Sequence, residues 1–171
     1  IKYFEKDNGG VASALNYGIK MMKGDYFSWL SHDDVYYPKK IEKQIFFLKD
    51  NPADTILYGD YEYINESSEI IGIVRNNPVK PEKFRYSLLF SHPIHGCTSL
   101  IPRACFINDG VFNNNLKTTQ DYDYWFRLSN KYKFIHMSEI LIKSRIHMEQ
   151  GSRNILEHNY EINEFYINSI K

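Results

Sequence analysis

Cysteine is scarce in this sequence, which excludes a fold held together by disulfide bonds. Cys97 and Cys105 are the two cysteines among 171 residues, and neither belongs to a C-x-x-C pair. Two thiols cannot form the disulfide framework of a small secreted domain, and reduced cysteines are typical of cytosolic proteins. We therefore expect a cytoplasmic protein with both thiols reduced.

Long apolar runs and an excess of charge of one sign are also missing. No run approaches the ~18 apolar residues of a membrane-spanning helix, and no signal-peptide pattern opens the sequence. Peripheral attachment at the inner membrane face is compatible with this sequence, because such attachment needs no membrane-spanning helix. Lys plus Arg equals Asp plus Glu at 21 each, so we expect no nucleic-acid partner bound through phosphate neutralisation.

The composition that remains is that of a globular domain. Hydrophobic residues make up 43% and charged residues 25% of the chain, which is unlike a disordered segment. The length suits one domain with its own core. The aromatic content alone does not indicate a function, because such rings occur in cores, interfaces and sugar-stacking surfaces.

Strand and helix patterns alternate along the chain. Helices are predicted at Val11–Met22, after Pro38, at Pro81–Phe90, Ala104–Asn108 and Gln120–Asn130, and in the last twenty residues. Strands are predicted at Ile1–Glu5, Tyr26–Leu30, Ile56–Ile64, Glu69–Val74, His95–Ile101, Phe134–His136 and Ile140–Ile146. This alternation indicates an α/β domain with a mixed sheet.

Two adjacent acids follow one of these strands. The apolar run Tyr26–Leu30 leads directly into Ser31-His32-Asp33-Asp34. Open α/β sheets bind ligands at the carboxyl ends of their strands. Neighbouring carboxylates repel each other, so the pair favours a cation with oxygen ligands, Mg²⁺ or Mn²⁺. An Asp pair is also typical of a solvated loop or a helix cap, and alone it does not separate these alternatives.

Short motifs in a fixed order resemble the family 2 glycosyltransferases of the GT-A fold. In chain order they are Asn8-Gly9-Gly10, Asn16-Tyr17-Gly18, Gly24-Asp25-Tyr26, Ser31-His32-Asp33-Asp34 and Pro38-Lys39-Lys40-Ile41. Three later segments extend the resemblance to about residue 152: His95–Ser99, Gln120–Arg127 and Arg145–Ser152. Several motifs in the right order are more specific than any one alone.

The resemblance implies a GT-A-like (Rossmann-like) mixed sheet flanked by helices, missing the first strand-helix-strand unit. In the family that unit carries the pocket for the nucleotide base. The chain would then be a single partial domain, residues 1–171. It divides into a donor and metal part at 1–65, an acceptor and catalytic part at 90–152, and a C-terminal helix at 153–171.

The resemblance also implies an activity and a set of site residues. The activity is inverting, metal-assisted transfer of a sugar from a nucleotide-diphosphate sugar to an acceptor hydroxyl, on a surface polysaccharide or lipid-linked glycan. Asp121 matches the general base, and Asp33, Asp34 and His147 match the ligands of Mg²⁺ or Mn²⁺. The implied donor-binding residues are Asn8, Gly9, Gly10, Ser31, His32 and Arg145. The implied acceptor-binding residues are Gly96 and Trp125.

Each of these assignments has a structural alternative. Asp121 is also suited to capping a helix, and Trp125 to a place in the core. His147 is equally consistent with a packed or surface side chain, and Arg145 with an ordinary ion pair. Ser31 replaces an acid of the family motif. This favours a second interpretation, a catalytically silent sugar- or partner-binding domain on the same fold.

Two further interpretations follow from the remaining residues. A metal nuclease or phosphatase is disfavoured, because no His, Asp and Glu cluster with ligand spacing accompanies the Asp pair. His92, His136 and His158 lie in no recognisable pattern, and we interpret them as structural.

Overall fold

A four-stranded mixed sheet forms the frame of the protein. The computed structural model describes residues 2–147 and 155–170. In spatial order the strands are β2 (Val35–Tyr36), β6 (Phe134–Arg145), β3 (Ile56–Ile64) and β4 (Ile70–Val74). The central strands β3 and β6 run parallel, and the two outer pairs are antiparallel. A separate antiparallel pair joins β1 (Tyr26–Phe27) to β5 (Ile101–Pro102).

Helices flank this sheet, which confirms the predicted fold class. They are α1 (Gly10–Met21), α2 (Lys40–Leu48), α3 (Pro81–Ser87), α4 (Arg103–Asp109), α5 (Gln120–Leu128) and α6 (Ile155–Ile170), with one 3-10 turn at Gly96–Thr98. Among the described helices, none is both long and apolar enough to cross a membrane.

The strand β3 is buried because it pairs on both sides in the middle of the sheet. Its first residues, from Ile56 to Tyr58, are fully buried, as expected for a parallel strand covered on both faces. Below the sheet an aromatic core includes the stacked rings of Phe84 and Phe134, 4.3 Å apart. The core fixes the sheet edge at which the acidic loop lies.

Three predicted strands differ from the observed elements. Residues 2–9 form no regular element, and Ile1 lies outside the described residues. The strand predicted at Tyr26–Leu30 ends at Phe27, because the backbone beyond Phe27 binds side chains instead of a neighbouring strand. The Trp29 carbonyl accepts a hydrogen bond from the Tyr36 hydroxyl, and the Ser31 N–H donates to Cys97 Sγ. Within the predicted strand His95–Ile101, hydroxyl groups fold the chain into the 3-10 turn: Thr98 Oγ1 and Ser99 Oγ donate to the carbonyls of His95 and Gly96.

The other predicted elements are close to those observed. The helix at Val11–Met22, the strand Ile56–Ile64 and its antiparallel partner are confirmed within one or two residues. The two strands predicted at Phe134–His136 and Ile140–Ile146 are one strand, β6. The pairing register shifts on either side of Asp60, so a local irregularity accommodates the polar residues between the two apolar runs.

Candidate active site

A cleft with a volume of about 760 Å³ opens at the edge of the sheet. Its size lies within the range of small-molecule sites, roughly 300–1,000 Å³. The loop from Ser31 to Asp34, the end of β6 and the first residues of α5 all contribute to its wall. Residues that are distant in sequence therefore share one cavity.

Asp33 and His147 meet in the wall of this cleft. His147 Nε2 lies 2.9 Å from Asp33 Oδ2, although the residues are 114 positions apart. Burial alone would raise the pKa of Asp33, but the hydrogen bonds from His147 and the backbone, together with the nearby charges of His32 and His147, hold that pKa below its usual value. Asp33 thus presents an ionised carboxylate to the cavity. The prediction that these two residues share a site agrees with this geometry.

Asp34 has a different environment from its neighbour. Its residue is buried, and Oδ1 accepts a hydrogen bond of 2.9 Å from the backbone N–H of Arg145. This bond fastens the acidic loop to the last residue of β6. One oxygen of Asp34 therefore already has a structural partner.

The Arg145 side chain binds the loops beside the cleft. Its guanidinium group donates to the carbonyls of Asp33, Asn65 and Glu66 and to Ser68 Oγ, at 2.6–3.1 Å. Arg145 is not among the residues that line the cavity. The described contacts show this guanidinium fixing backbone around the acidic loop, and its predicted contact with the donor stays a prediction.

Asp121 also lines the cleft, in the first turn of α5. Its carboxylate accepts a hydrogen bond of 2.9 Å from Tyr122 N–H, at a helix end where the dipole favours a negative charge. Burial nevertheless raises the pKa of Asp121 to about 6, more than that hydrogen bond lowers it. An acid with such a pKa is deprotonated at neutral pH and is suited to accept a proton.

Trp125 and Gly96 lie in the floor of the cleft. Trp125 is 1% exposed and stacks on Trp29, with ring centroids 6.0 Å apart. A Cβ on Gly96 would lie 2.0 Å from the Trp29 ring, so only glycine leaves room for that ring. Both residues have packing roles here, and their predicted contact with an acceptor is untested.

The predicted donor-binding residues divide into two groups. Ser31 and His32 line the cleft, and Ser31 Oγ lies 3.3 Å from Cys97 Sγ. Asn8 and Gly9 precede α1 and Gly10 begins it. Asn8 Oδ1 accepts from Gly10 N–H at 3.1 Å, and Gly10 has a φ of 79°. Asn8, Gly9 and Gly10 do not line the cavity, although the next residue, Val11, does.

Comparison with known proteins identifies the family. The model of glycosyl transferase family 2 matches residues 1–112, more than half of the chain. The chain belongs to this family. A glycosyltransferase of Rickettsia felis is 54% identical over 168 residues, which cover 95% of this chain and 28% of that protein. Chondroitin synthase of Pasteurella multocida is 30% identical, over 89% of this chain and 15% of the synthase.

Solved structures place this family 2 domain in the GT-A fold. The structure of S. aureus TarS 1-349 in complex with UDP-GlcNAc matches 95% of the chain with a TM-score of 0.68. The two sequences are only 16% identical and the match covers 47% of the TarS chain, so the likeness establishes the fold. The chain spans between about a quarter and about half of the length of relatives such as those of R. felis and R. typhi.

The acidic side of this family 2 site fits a divalent cation. Mg²⁺ typically binds one or two carboxylates together with substrate phosphates, and Asp33 supplies an ionised carboxylate beside the cavity. Ligand atoms of Asp34, His95 and Cys97 also lie within 4.8 Å of one another. Burial raises the pKa of the Cys97 thiol to about 12, and sulfur is a soft ligand, so Asp33 is the better ligand for Mg²⁺ or Mn²⁺.

Three histidines that line the cleft, His92, His95 and His158, were not among the predicted site residues. Five of the six histidines of this family 2 chain line the cleft: His32, His92, His95, His147 and His158. Our structural interpretation of His92 and His158 therefore overlooked their place in the wall. The sixth, His136, is buried against Asp60, with 2.7 Å between Nε2 and Oδ1. The only signal in the sequence was that His95 precedes a motif glycine.

Proposed function

We propose that the protein transfers a sugar from a nucleotide-diphosphate sugar to an acceptor hydroxyl, with inversion at the anomeric carbon. The observation that supports this most is that Asp33 and Asp121 line the same cleft. One acid faces the position of a charged leaving group, and the other can accept a proton. The TarS structures in complex with UDP and with UDP-GlcNAc support a nucleotide-sugar donor.

Asp121 acts as the general base in this proposal. Its carboxylate takes the proton of the acceptor hydroxyl while that oxygen attacks the anomeric carbon, and the bond to the diphosphate breaks on the opposite face. Asp33 and His147, with the second oxygen of Asp34, would hold Mg²⁺ or Mn²⁺, which neutralises the departing diphosphate. We assign donor contacts to Ser31 and His32, which line the cavity.

The acceptor is a glycan or a lipid-linked glycan, in line with the polymer-forming name of the chondroitin synthase relative. The protein would act in the cytoplasm, with peripheral attachment at the inner membrane face, where such acceptors are accessible. Gly96 and Trp125 form the floor beneath the acceptor in this arrangement.

Metal-linked nucleotide binding tests the proposal. The probe is UDP, titrated by calorimetry with and without Mn²⁺ into the full-length protein that carries this chain. We expect Mn²⁺ to strengthen UDP binding, and Asp33→Ala to remove this gain. Ser31→Ala should have a smaller effect, because a hydroxyl lacks the charge that the cation needs.

An exposed acid provides the control for this experiment. Asp54 lies in the loop between α2 and β3, away from the cleft, so Asp54→Ala should bind UDP and Mn²⁺ as the unaltered protein does. If the unaltered protein binds UDP with the same affinity with and without Mn²⁺, this result contradicts the metal-assisted mechanism. No UDP binding at all favours the catalytically silent domain, to which the replacement of a motif acid by Ser31 also points.

A further inference from the structure

A buried glutamate of α6 binds the segment that leads into α5. Glu161 is 7% exposed, and its two carboxylate oxygens accept five hydrogen bonds from three consecutive residues. The donors are Lys117 N to Oε1 at 2.7 Å, and Thr118 N, Thr118 Oγ1, Thr119 N and Thr119 Oγ1 to Oε2 at 2.8–3.0 Å. All five partners donate, so this position suits a carboxylate, which only accepts.

This arrangement replaces the usual cap of a helix N-terminus. Thr119 occupies the N-cap position of α5, where a threonine hydroxyl commonly accepts from the helix backbone. No side-chain cap is formed there, because that hydroxyl donates to Glu161 instead. The first turn of α5 is thus anchored from another helix. Asp121 lies in this turn, two residues after Thr119.

These hydrogen bonds keep the Glu161 carboxylate ionised. Burial by itself would raise the pKa of Glu161, but the backbone and hydroxyl donors together keep that pKa below its usual value. Hydrogen bonds to a buried carboxylate are stronger than those between neutral groups. The residues from Lys117 to Thr119 therefore have one well-defined position at the rim of the cleft.

We propose that Glu161 is a positioning residue for catalysis: by fixing Lys117–Thr119 and the first turn of α5, it holds the Asp121 carboxylate at the cleft. The inference rests on the proposed role of Asp121 as general base. Catalytic groups need placement within a fraction of an ångström, and a 1 Å displacement can cost on the order of 10²-fold in rate. Glu161 itself contacts no reacting group.

The test compares two glutamates one helical turn apart. Glu161→Gln removes the charge and places an amide among donors, whereas Glu157→Gln removes the carboxylate that lies 2.6 Å from the exposed Lys117 Nζ. The measured rate is the release of UDP from UDP-GlcNAc in the full-length protein with water as the acceptor. We expect kcat to fall about 10-fold or more for Glu161→Gln, with KM for UDP-GlcNAc within twofold, and Glu157→Gln to keep both values.

A double-mutant comparison separates positioning from a merely structural role. If Glu161 acts through Asp121, the pair Asp121→Asn with Glu161→Gln should be no slower than Asp121→Asn alone, since effects on one unit do not add. If the double variant is slower than Asp121→Asn by the same factor that Glu161→Gln alone loses, the two effects are independent and the proposal is overturned. Unchanged kcat in Glu161→Gln, when Asp121→Asn is inactive, overturns it too and leaves the proposed function standing. Normal turnover of Asp121→Asn overturns both.

A second variant guards against misfolding. Glu161→Asp keeps the charge but is shorter by one methylene group, so it should lose less activity than Glu161→Gln. Amide hydrogen exchange of residues 117–119 gives a readout independent of turnover. Exchange should become faster in both Glu161 variants and stay unchanged in Glu157→Gln. Unchanged exchange in Glu161→Gln contradicts the proposal.

Discussion

Asp33 and Asp34 are neighbours in the sequence, yet their carboxylates have different partners. Asp33 binds His147 at the wall of the cleft, and Asp34 binds the backbone N–H of Arg145. In the proposed function the first would meet a cation, whereas the second fastens the loop to β6. Substitutions at the two positions should therefore affect different properties.

Asp34→Ala should destabilise the fold more than Asp33→Ala. It removes the hydrogen bond that joins the buried Asp34 carboxylate to β6, a loss that typically costs about 0.5–1.5 kcal/mol or more when charge is involved. Asp33→Ala removes a partly exposed contact and should cost less. Urea unfolding midpoints of the two variants measure the difference. Equal midpoints would show that the Asp34 bond contributes little.

The raised pKa of Asp121 predicts how the rate of sugar transfer depends on pH. A base must be deprotonated, and the pKa of Asp121 is raised to about 6, so transfer should rise as pH increases through about 6 and then level off. Asp121→Asn should slow transfer by ~10²–10⁴-fold and retain UDP binding. Near-normal transfer at saturating donor would show that Asp121 is not the base.

The same carboxylate should lower stability at neutral pH. Because the folded pKa lies above the usual Asp value of 3.8, the folded state binds the proton more tightly than the unfolded state, and stability falls as pH rises between these values. Asn caps a helix about as well as Asp. Asp121→Asn should therefore melt at or above the temperature of the unaltered protein at pH 7, and calorimetry at pH 4 and pH 7 checks that the gain disappears in acid.

Among the described glycines, Gly96 in the 3-10 turn leaves the least room for an added Cβ. Gly96→Ala would push a methyl group into the Trp29 ring, 2.0 Å from its Cζ2. That ring stacks on Trp125 under the cleft. Overpacking of this kind typically costs about 1–3 kcal/mol.

Gly18→Ala is the matched control for this prediction. Gly18 lies inside α1, and nothing is within 4 Å of an added Cβ. Alanine there should stabilise the protein by roughly 0.5–1 kcal/mol, because glycine in a helix loses more backbone entropy on folding. Thermal unfolding of both variants should move in opposite directions. A neutral Gly96→Ala would show that the Trp29 ring yields easily.

At the scale of the whole molecule, the parallel pair β3 and β6 carries a buried polar contact. His136 and Asp60 are each 2% exposed in their side chains and lie 2.7 Å apart. Removing His136 takes one hydrogen bond from the Asp60 carboxylate, which keeps its hydrogen bond from Asn76 N–H at 2.9 Å, so the loss should cost about 1–3 kcal/mol. His136→Ala should therefore lower the unfolding midpoint more than Ser138→Ala, which removes only the exposed 3.4 Å contact of Ser138 Oγ with His136 Nδ1. Equal midpoints would contradict a structural role for the pair.

Local patterns predicted most helices and the long strand β3, because apolar spacing and turn residues act within a few positions. The motif order correctly indicated the family and fold, and the roles it implied for Asp33, His147 and Asp121 stay predictions. The strand at Tyr26–Leu30 was too long, since its later backbone groups bind side chains from residues such as Cys97. The convergence of His92, His95 and His158 depends on tertiary packing, and no local spacing could reveal it.

The contacts between the acidic loop and β6 also bear on the order of folding. Asp34 and Asp33 each bond to Arg145, across separations of 111 and 112 residues. During synthesis the loop leaves the ribosome long before its partner strand, and such distant contacts form late because closing the intervening chain costs entropy. A nascent chain that ends before β6 would therefore lack the Arg145 contacts that fasten this loop. Pulling on stalled chains with optical tweezers should show the loop anchored only after residue 145 has emerged.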